Sequence, residues 1–117
     1  MRYNESVYEK TKNVLGWLGI AKRAGKLVWG KDRLRRAIRS RRVALLLFCS
    51  DTGGTIKNEL IRRAGLKKIP FLELREVTKG YLGKVLGSTG EISVVGVVDT
   101  KIAERISKIL RGDGIGT

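Results

Sequence analysis

The cations between Lys22 and Arg42 are the residues of this chain with the clearest potential for chemistry. These 21 residues include ten lysines and arginines and one acid, Asp32, so they carry a net charge of +9 out of a formal +14. Like charges three or four apart on a helix repel by about 0.2–0.5 kcal/mol per pair, so folding alone does not explain this concentration. Ammonium and guanidinium groups at such spacing neutralise rows of phosphates. The stretch therefore indicates a polyanionic partner.

A solvated charged surface of the thermophilic kind is the alternative explanation for this stretch. Such surfaces place glutamate among lysine and arginine in networks of ion pairs. The stretch lacks those acids, and the whole chain has 25 cations against 11 acids. We therefore expect a nucleic acid as the partner, ahead of an acidic membrane surface or an acidic protein.

Residues suited to catalysis are scarce. The chain has no histidine, which excludes a histidine base and a Cys/His metal site. Its single cysteine, Cys49, cannot form an internal disulfide and is expected to be a small buried side chain at the end of a strand. Asp51 and Asp99 each follow an apolar segment, where helix capping is the expected role. The sequence predicts no enzymatic activity, no cofactor and no metal site.

Several glycines could suggest a phosphate-binding loop. Gly53, Gly54, Gly87 and Gly90 lie in two short turns, but neither G-x-x-x-x-G-K-[ST] nor G-x-G-x-x-G is present. We interpret these glycines as turn residues, so nucleotide binding by either route is unsupported.

The elements that must position the basic stretch alternate between helix and strand. Apolar periodicity and turn signals predict helices at 5–24, 31–40, 55–64, 78–86 and 101–110, with Gly25 and Gly65 ending the first and third. Strands are predicted at 26–29, 43–49, 70–74 and 92–98, and the wholly apolar 43–49 should be central. This pattern predicts an α/β fold, a three-layer α/β/α sandwich with a mixed, largely parallel sheet of about four strands.

One domain accounts for the chain. Its 117 residues suit a single core over residues 1–111, followed by a frayed, disordered tail at 112–117. The longest apolar run, residues 43–49, is too short for a membrane span, and the N-terminal residues show no apolar signal core. We expect a cytoplasmic protein without membrane contact.

Gly30 opens the basic helix at a point where anions can bind. The first N–H groups of a helix lack intrahelical partners and lie at the positive end of its dipole, so Gly30 together with Lys31 and Arg33 predicts a docking point for phosphate or a base edge. Alternatively, Gly30 merely ends the strand and Asp32 stabilises the first helical turn. Trp29 beside it either covers the edge of the core or stacks on a base.

The order of elements and the segment AKRAGKLVWGKDRLRRAIRSRRVALLLFCSD resemble the L-seven-Ae / L-thirty-e family of ribosomal and RNA-binding proteins, and within it the small bacterial members. The resemblance covers residues 13–110. Other features also support the resemblance: the apolar strand that runs into Ser50-Asp51, Pro70 at the start of a strand, Leu82-Gly83-Lys84 with Gly87, and the valine-rich strand that follows.

This resemblance implies an α/β/α sandwich that binds structured RNA, in many relatives a kink-turn, through the N-terminus of the second helix and the adjacent loops. Carried over by position, the RNA-binding residues are Lys26, Gly30, Lys31, Asp32, Arg33, Arg36, Gly53, Lys57, Ser88, Thr89 and Gly90. Two departures bear on kink-turn specificity. Typical kink-turn binders have Asn-Glu in place of Asp32-Arg33, and apolar or basic residues in place of Ser88 and Gly90.

The expected function is non-catalytic binding of structured RNA, either ribosomal RNA or a kink-turn-like element, by a ribosome-associated protein. Its partners would be RNA and ribosomal proteins, and the free protein would be monomeric. Two alternatives stay open. One is a ribosome-assembly or scaffold protein whose contacts are mainly to protein, and the other is an accessory domain for an RNA-modifying enzyme.

Overall fold

Helices alternate with strands throughout the computed structural model, which describes the backbone of residues 2–112 and the side chains of residues 7–112. The helices are α1 Arg2–Arg23, α2 Lys31–Arg39, α3 Gly54–Leu66, α4 Lys79–Val85 and α5 Thr100–Arg111. The strands are β1 Leu27–Trp29, β2 Leu45–Cys49, β3 Phe71–Leu74 and β4 Val94–Val97. Each predicted helix and strand is confirmed, with ends shifted by at most three residues.

The four strands form one mixed sheet in the order β1-β4-β2-β3. The predicted α/β class and mixed sheet are confirmed, but the expectation of largely parallel pairing is wrong. Only β2 and β3 pair in parallel, whereas β4 is antiparallel to both β1 and β2. The direction of β4 is set by the chain that follows α4, a helix only about 10 Å long. The chain then runs back along this helix, where the Ile92 N–H donates to the Lys79 carbonyl at 3.1 Å, so β4 starts at the end of the sheet where β3 stopped.

β2 lies at the centre of the sheet and is buried along its whole length, as predicted. Leu45, Leu47 and Cys49 face the layer of α1, α4 and α5, while Leu46 and Phe48 face the layer of α2 and α3. Removing one such large apolar side chain from water contributes about 1.5–3 kcal/mol. The burial of both strand faces thus holds the two helical layers to the same sheet.

The strand directions give the sheet two chemically distinct ends. Because β1, β2 and β3 run one way and β4 the other, one end collects the last residues of the first three strands and the first of β4. We call this the near end of the sheet; α2, α3 and α4 begin there. At the opposite, far end, α5 begins and α2 and α3 stop. The N-termini of three helices therefore share one end of the molecule.

The C-terminal ends of three helices can be compared with the predicted ones. Gly25 ends α1 at φ 71°, as predicted, but the prediction that Gly65 ends α3 is wrong. The helix continues to Leu66 because the buried Ile69 is brought to the core by a turn in which its N–H donates to the Ala64 carbonyl at 2.9 Å. At the C-terminus Gly112 closes α5 at φ 72°, and most of the predicted tail, residues 113–117, lies outside the described residues.

The length and hydropathy of the helices bear on membrane insertion. None of the helices in the described part of the chain combines the length and the apolar character needed to cross a membrane.

Gly83 and Gly80 in α4 provide a matched test of the packing that returns the chain to the near end. A Cβ on Gly83 would lie 2.3 Å from the Gly90 carbonyl oxygen, whereas one on Gly80 would meet nothing within 4 Å. We expect Gly83→Ala to lower the free energy of unfolding by about 1–3 kcal/mol through overpacking. Gly80→Ala should raise it by about 0.5–1 kcal/mol through helix propensity. Urea denaturation measures both, and equal effects of the two substitutions would contradict this close approach.

Candidate nucleic-acid interface

Three loops at the near end are tied together by hydrogen bonds. The Cys49 N–H donates to the Ser93 carbonyl and the Ser50 N–H to the Val77 carbonyl, both at 2.9 Å. The Thr52 hydroxyl lies 2.8 Å from the Cys49 carbonyl oxygen and 3.0 Å from the Ser93 carbonyl oxygen, and it can donate its proton to either. These bonds join the β2–α3, β3–α4 and α4–β4 connections. The surface of the near end is therefore a linked platform rather than a set of independent loops.

The helices that begin at this platform differ in how their first N–H groups are satisfied. For α4, Asp51 Oδ1 accepts from the Lys79 N–H at 2.8 Å and Thr78 Oγ1 from the Tyr81 N–H at 3.2 Å. At the far end, Asp99 Oδ1 accepts from the Ile102 N–H at 2.9 Å and so caps α5. The predicted capping role of both aspartates is confirmed.

By contrast, α2 and α3 begin without a side-chain cap. Gly30 and Gly53 occupy their N-cap positions, and no side chain among residues 7–112 accepts a capping hydrogen bond there. The leading N–H groups of these two helices consequently remain available to an external acceptor at the positive end of each helix dipole. A phosphate oxygen is an acceptor of this kind.

Gly30 also determines how α2 leaves the sheet. Its φ of 96° and ψ of 135° lie in a region that residues with a Cβ rarely adopt. Through this conformation the chain turns directly from Trp29 at the end of β1 into α2, and the Leu34 N–H closes the first turn on the Gly30 carbonyl at 2.9 Å. Trp29 itself is half-buried and packs against the core, which agrees with the core-covering alternative.

The exposed surface of α2 is cationic from its first turn onward. Leu34, Ala37 and Ile38 are buried, as predicted, and face the sheet. Lys31, Arg33, Arg36 and Arg39 are exposed. None of these four has a carboxylate within 4.0 Å among the side chains of residues 7–112. Their charges are thus available to a partner.

Arg35 is the exception on α2, because it is held by carboxylates. Its Nε and Nη2 donate to the two oxygens of Glu59 on α3 at 2.7 and 2.9 Å, and its Nη1 donates to Asp32 Oδ1 at 3.1 Å. Arg63 Nε also donates to Glu59, at 2.7 Å. Hydrogen bonding from Arg35, supported by Arg63, lowers the pKa of Glu59 to about 2. This cluster clamps α2 to α3 and removes Arg35 from the binding charges.

The pairing of Arg35 was not foreseen from sequence, where it counted as one of the ten binding cations. The sequence of α3 gives one indication of an ion-pair cluster, because its acid Glu59 is followed by Arg62 and Arg63. Glu59 lies 24 positions from Arg35, however, and the register between two helices in one layer depends on the packed core. The hydroxyl of Thr52, which ties the platform together, was missed for the same reason.

Of the residues carried over from the family, five meet at the near end. Gly30, Lys31, Asp32 and Arg33 form the start of α2, and Gly53 caps the neighbouring α3. Arg36 follows one turn further along α2. The structure brings this group together as the sequence predicted.

Lys57 lies near this group but is already paired. It belongs to the first turn of α3, where its ammonium forms a salt bridge with Glu73 of β3 and lies 6.0 Å from the centroid of the Phe48 ring. The hydrogen bond from Lys57 lowers the pKa of Glu73. Its charge is therefore committed within the protein.

The Ser88–Gly90 turn packs alongside α4. The Ser88 N–H donates to the Gly83 carbonyl at 2.8 Å, and the Ser88 hydroxyl accepts from the Gly90 N–H at 3.2 Å. This turn leads directly into Ser93 of the platform. Thr89 and Gly90 are exposed, and Gly90 lies beside Gly83 of α4. The chain returns to the near end only at Ile92, so no described contact joins this turn to the start of α2.

Lys26 is separated from the other candidates. It precedes β1, and its carbonyl accepts from the Val98 N–H at 2.9 Å, which places it at the far end of the sheet. Four residues of extended chain, about 13 Å, lie between it and Gly30. The sequence grouped Lys26 with Gly30 because they are neighbours in the chain, and a strand places such neighbours at opposite ends of a sheet.

Cys49 is enclosed below the platform. Its side chain is 1% exposed, and its Sγ donates to the Ile92 carbonyl at 3.3 Å. Burial, reinforced by the charge of Asp51, raises the pKa of the thiol to about 12. The thiolate needed for nucleophilic attack is therefore negligible at neutral pH, and the expectation of a small buried side chain is confirmed.

Other chemistries find little support in the described part of the chain. Within it, no three acidic or cysteine side chains come together in a group that could hold a metal ion. What the near end presents is free backbone N–H groups, guanidinium groups and one ammonium group beside a linked platform. This arrangement can bind anionic oxygens.

The fold and this interface define an α/β/α sandwich with a cationic helix N-terminus at one end of a mixed sheet. No protein-family model matches the chain. It is similar to the RNA-binding protein YlxQ of Bacillus subtilis (strain 168), 28% identical over 93 residues, which cover 80% of this chain and 90% of that protein. It is also similar to the RNA-binding protein YlxQ of Enterococcus faecium, 24% identical over 109 residues, covering 93% and 99%.

Two solved structures share the fold. One is a protein of unknown function from Bacillus halodurans C, with a TM-score of 0.76, 28% identity, and coverage of 84% of this chain and 96% of that one. The other is the 15.5kD RNA binding protein of Giardia lamblia, with a TM-score of 0.68, 13% identity, and coverage of 89% and 87%. At 13% identity, this second structure supports the α/β/α fold alone.

The carboxylate of Glu59 predicts a pH dependence of stability. Its pKa is about 2 in the folded protein and about 4.3 in an unfolded chain. A lowered pKa means that the carboxylate stabilises the fold above the unfolded value and that this contribution is lost as the pH falls towards 2. We therefore expect Glu59→Gln protein to lose less stability than the wild type between about pH 5 and pH 2, as measured by urea unfolding at each pH.

Glu104→Gln is the matched control for this measurement. Glu104 is exposed on α5 and has no cation within 4.0 Å among the described side chains. Its substitution should leave the acid-induced loss of folding stability at the wild-type value. If Glu59→Gln behaves like this control, the clamp between α2 and α3 does not contribute to stability.

Proposed function

We propose that this protein binds structured RNA without transforming it, through the near end of its sheet. The observation that carries the proposal is that two helix N-termini without a side-chain cap lie at that end with Lys31, Arg33 and Arg36, which have no carboxylate within 4.0 Å among the described side chains. Backbone N–H groups at helix N-termini and the cationic groups of arginine and lysine are donors that proteins use for phosphate oxygens. The relatives named as RNA-binding proteins support RNA as the polyanion.

The proposed RNA is ribosomal or contains a kink-turn-like element, and the protein is ribosome-associated. The resemblance to the L-seven-Ae / L-thirty-e proteins supports this choice. The structure adds that Asp32, which replaces the usual asparagine, shares its carboxylate with Arg35 at 3.1 Å. Part of its repulsion toward phosphate is thereby offset, so RNA binding is compatible with the departure from the family pattern.

The way in which the reactive side chains are used supports a non-catalytic role. Asp51 and Asp99 cap helices, and the thiol of Cys49 is buried with its pKa raised to about 12. The side chains best suited to acid–base or nucleophilic chemistry are thus engaged in the fold. We propose that residues 1–111 act as one RNA-binding domain, monomeric when free and cytoplasmic.

A second candidate is a ribosome-assembly or scaffold protein with mainly protein contacts. One observation favours it: a groove between α1 and α4 is lined by Tyr8, Leu15, Tyr81 and Val85. Tyr8 and Tyr81 are 63% and 52% exposed. Exposed aromatic groups beside aliphatic ones are typical of protein contacts.

Crosslinking in living cells separates these two functions. Ultraviolet crosslinking followed by sequencing of the attached RNA should recover ribosomal RNA, or RNA with a common structured element, from the wild-type protein. Recovery of crosslinked proteins with no enriched RNA would favour the scaffold function. The near-end variants described next, expressed in the same cells, test whether the near end carries the contact.

Arg36→Ala tests the electrostatic part of RNA binding. Arg36 is exposed one turn inside α2 and has no described carboxylate partner, so its loss should weaken binding by about 1 kcal/mol for many RNAs alike and lower the log–log salt slope by about 1. Fluorescence anisotropy with a labelled hairpin across a salt series measures both. Lys108→Ala, which removes an exposed charge from α5 in the other layer, should have a smaller effect. Identical results for the two variants would argue against a specific near-end contact.

Asp32→Asn tests kink-turn recognition separately from affinity. The substitution restores the amide usual in the family and removes a carboxylate near the proposed phosphate site, while Glu59 still holds Arg35 through two hydrogen bonds. We expect tighter RNA binding, with a larger gain for a kink-turn than for a plain stem of equal length. Unchanged thermal melting is the control, and weaker binding to every RNA would assign Asp32 itself a recognition role.

A further inference from the structure

Two of the five helices in the described chain end in an unusual way. The residue that closes α1, α4 and α5 is a glycine with left-handed backbone, at φ 71°, 72° and 72° for Gly25, Gly87 and Gly112. The corresponding residues after α2 and α3 are Arg41 and Lys68, at φ 60° and 58°. This conformation is strained for a residue with a Cβ, and glycine is the usual choice. At two adjacent helix ends, a cation therefore stands where glycine would be more stable.

The hydrogen bonds at both ends follow the same motif. After α2, the Arg42 N–H donates to the Ala37 carbonyl at 2.9 Å and the Arg41 N–H to the Ile38 carbonyl at 3.0 Å. After α3, the N–H groups of Ile69 and Lys68 donate to Ala64 and Gly65 in the same pattern. Both are Schellman motifs, which place the left-handed residue on the surface. The side chains of Arg41 and Lys68 are accordingly exposed at the far end.

Backbone bonds across the far end join these residues into one surface. The Ala44 N–H donates to the Val97 carbonyl at 2.7 Å, the Val98 N–H to the Lys26 carbonyl at 2.9 Å, and the Leu46 N–H to the Pro70 carbonyl at 3.0 Å. These bonds connect the starts of β1, β2 and β3 with the end of β4. Three strand spacings of about 4.8 Å give a surface about 14 Å across.

The charge of this surface is strongly positive. Its cations come from the start of β1, the ends of α2 and α3 and the first turn of α5; they are Lys26, Arg41, Arg42, Lys67, Lys68 and Lys101. None has a carboxylate within 4.0 Å among the described side chains. The acids nearest to Lys101 in the chain are Asp99, which caps α5, and Glu104, one turn along α5.

Favourable interaction with the helix dipole does not require this arrangement. A cation in the last turn already interacts with the C-terminal carbonyl groups, and α2 and α3 have Arg39 and Arg63 there. Arg41 and Lys68 lie beyond the last turn, in strained backbone. Backbone strain at residues with no packing role is grounds for proposing a function.

We propose that the far end is a second RNA-binding surface, which holds the sugar–phosphate backbone of an RNA segment other than the one at the near end. The proposal rests on the proposed function for its class of ligand. The two ends are separated by the length of α2, about 13 Å, and face opposite directions. One protein molecule can therefore hold two RNA segments at once and set the distance between them.

Replacement of both strained cations by glycine tests this surface. In the full-length Arg41→Gly, Lys68→Gly variant the backbone strain is relieved, so thermal melting should occur at an equal or higher temperature than in the wild type. RNA affinity should nevertheless fall about tenfold at 0.1 M salt, with a salt slope lower by about 1 for each lost contact. A structured RNA long enough to reach both ends is the probe. The control variant Lys12→Ala, Lys84→Ala loses the same charge from exposed positions of α1 and α4 in the other layer and should lose much less affinity.

A bridging assay tests whether one protein molecule holds two RNA segments at the same time. Two copies of a short hairpin, one labelled with a donor and one with an acceptor fluorophore, should show energy transfer on addition of wild-type protein. Transfer should be lost in the Arg41→Gly, Lys68→Gly variant and also in an Arg33→Ala, Arg36→Ala variant. Dynamic light scattering at the same concentrations excludes aggregation as the source of the signal.

Several outcomes would overturn the inference. One is an affinity and salt slope of the far-end variant equal to those of the control variant. Another is a lower melting temperature with unchanged RNA binding, which would assign the two cations to helix termination. A third is a far-end variant that loses binding to anionic phospholipid vesicles but not to RNA. If the near-end variant also leaves RNA binding unchanged, the proposed function itself fails, and this result is distinct from a failure of the far end alone.

Discussion

The antiparallel pairing of β4 with β2 is the constraint on which the near end depends. Phe48 pairs with Val94 and Leu45 with Val97, all on strands buried from solvent. Because β4 must enter the sheet beside Cys49, the chain after α4 has to return to the end where α2, α3 and α4 begin. The backbone bonds from Cys49 and Ser50 then convert three connections into one platform. Apolar burial in the centre of the sheet thus determines the shape of a polar surface at its end.

Much of the fold could be predicted from the sequence because its signals are local. The apolar periodicity of α2 and the uninterrupted run in β2 each depend on residues within one element, and Asp99 caps the helix that it directly precedes. Asp51 also caps a helix, but this helix is α4, 28 residues further along the chain, which local signals do not reveal. Strand direction was harder to predict. Alternating helices and strands favour parallel pairing, but the short α4 and the contact between Gly83 and Gly90 turn the chain back before β4. That contact joins residues in different elements, and the glycine pattern alone does not reveal it.

The sequence predicted the placement of the candidate residues where they follow one helix, and it predicted their available charge less well where that charge depends on neighbours. Gly30, Lys31 and Arg33 meet as expected because they are consecutive. Arg35 and Lys57 had the right charge for binding, but each is paired with a glutamate from another element, Glu59 or Glu73. Net charge can be read from a sequence, whereas the share of it that stays available to a partner depends on tertiary packing.

The clamp between Arg35 and Glu59 also limits how much of the charge of α2 reaches the solvent. Arg35 is neutralised where α2 contacts α3, whereas Lys31, Arg33, Arg36 and Arg39 have no carboxylate within 4.0 Å among the described side chains. A polyanion that approaches this helix therefore meets the field of four uncompensated cations rather than five. A carboxylate that contacts no ligand can in this way set the strength of the attraction that a ligand meets.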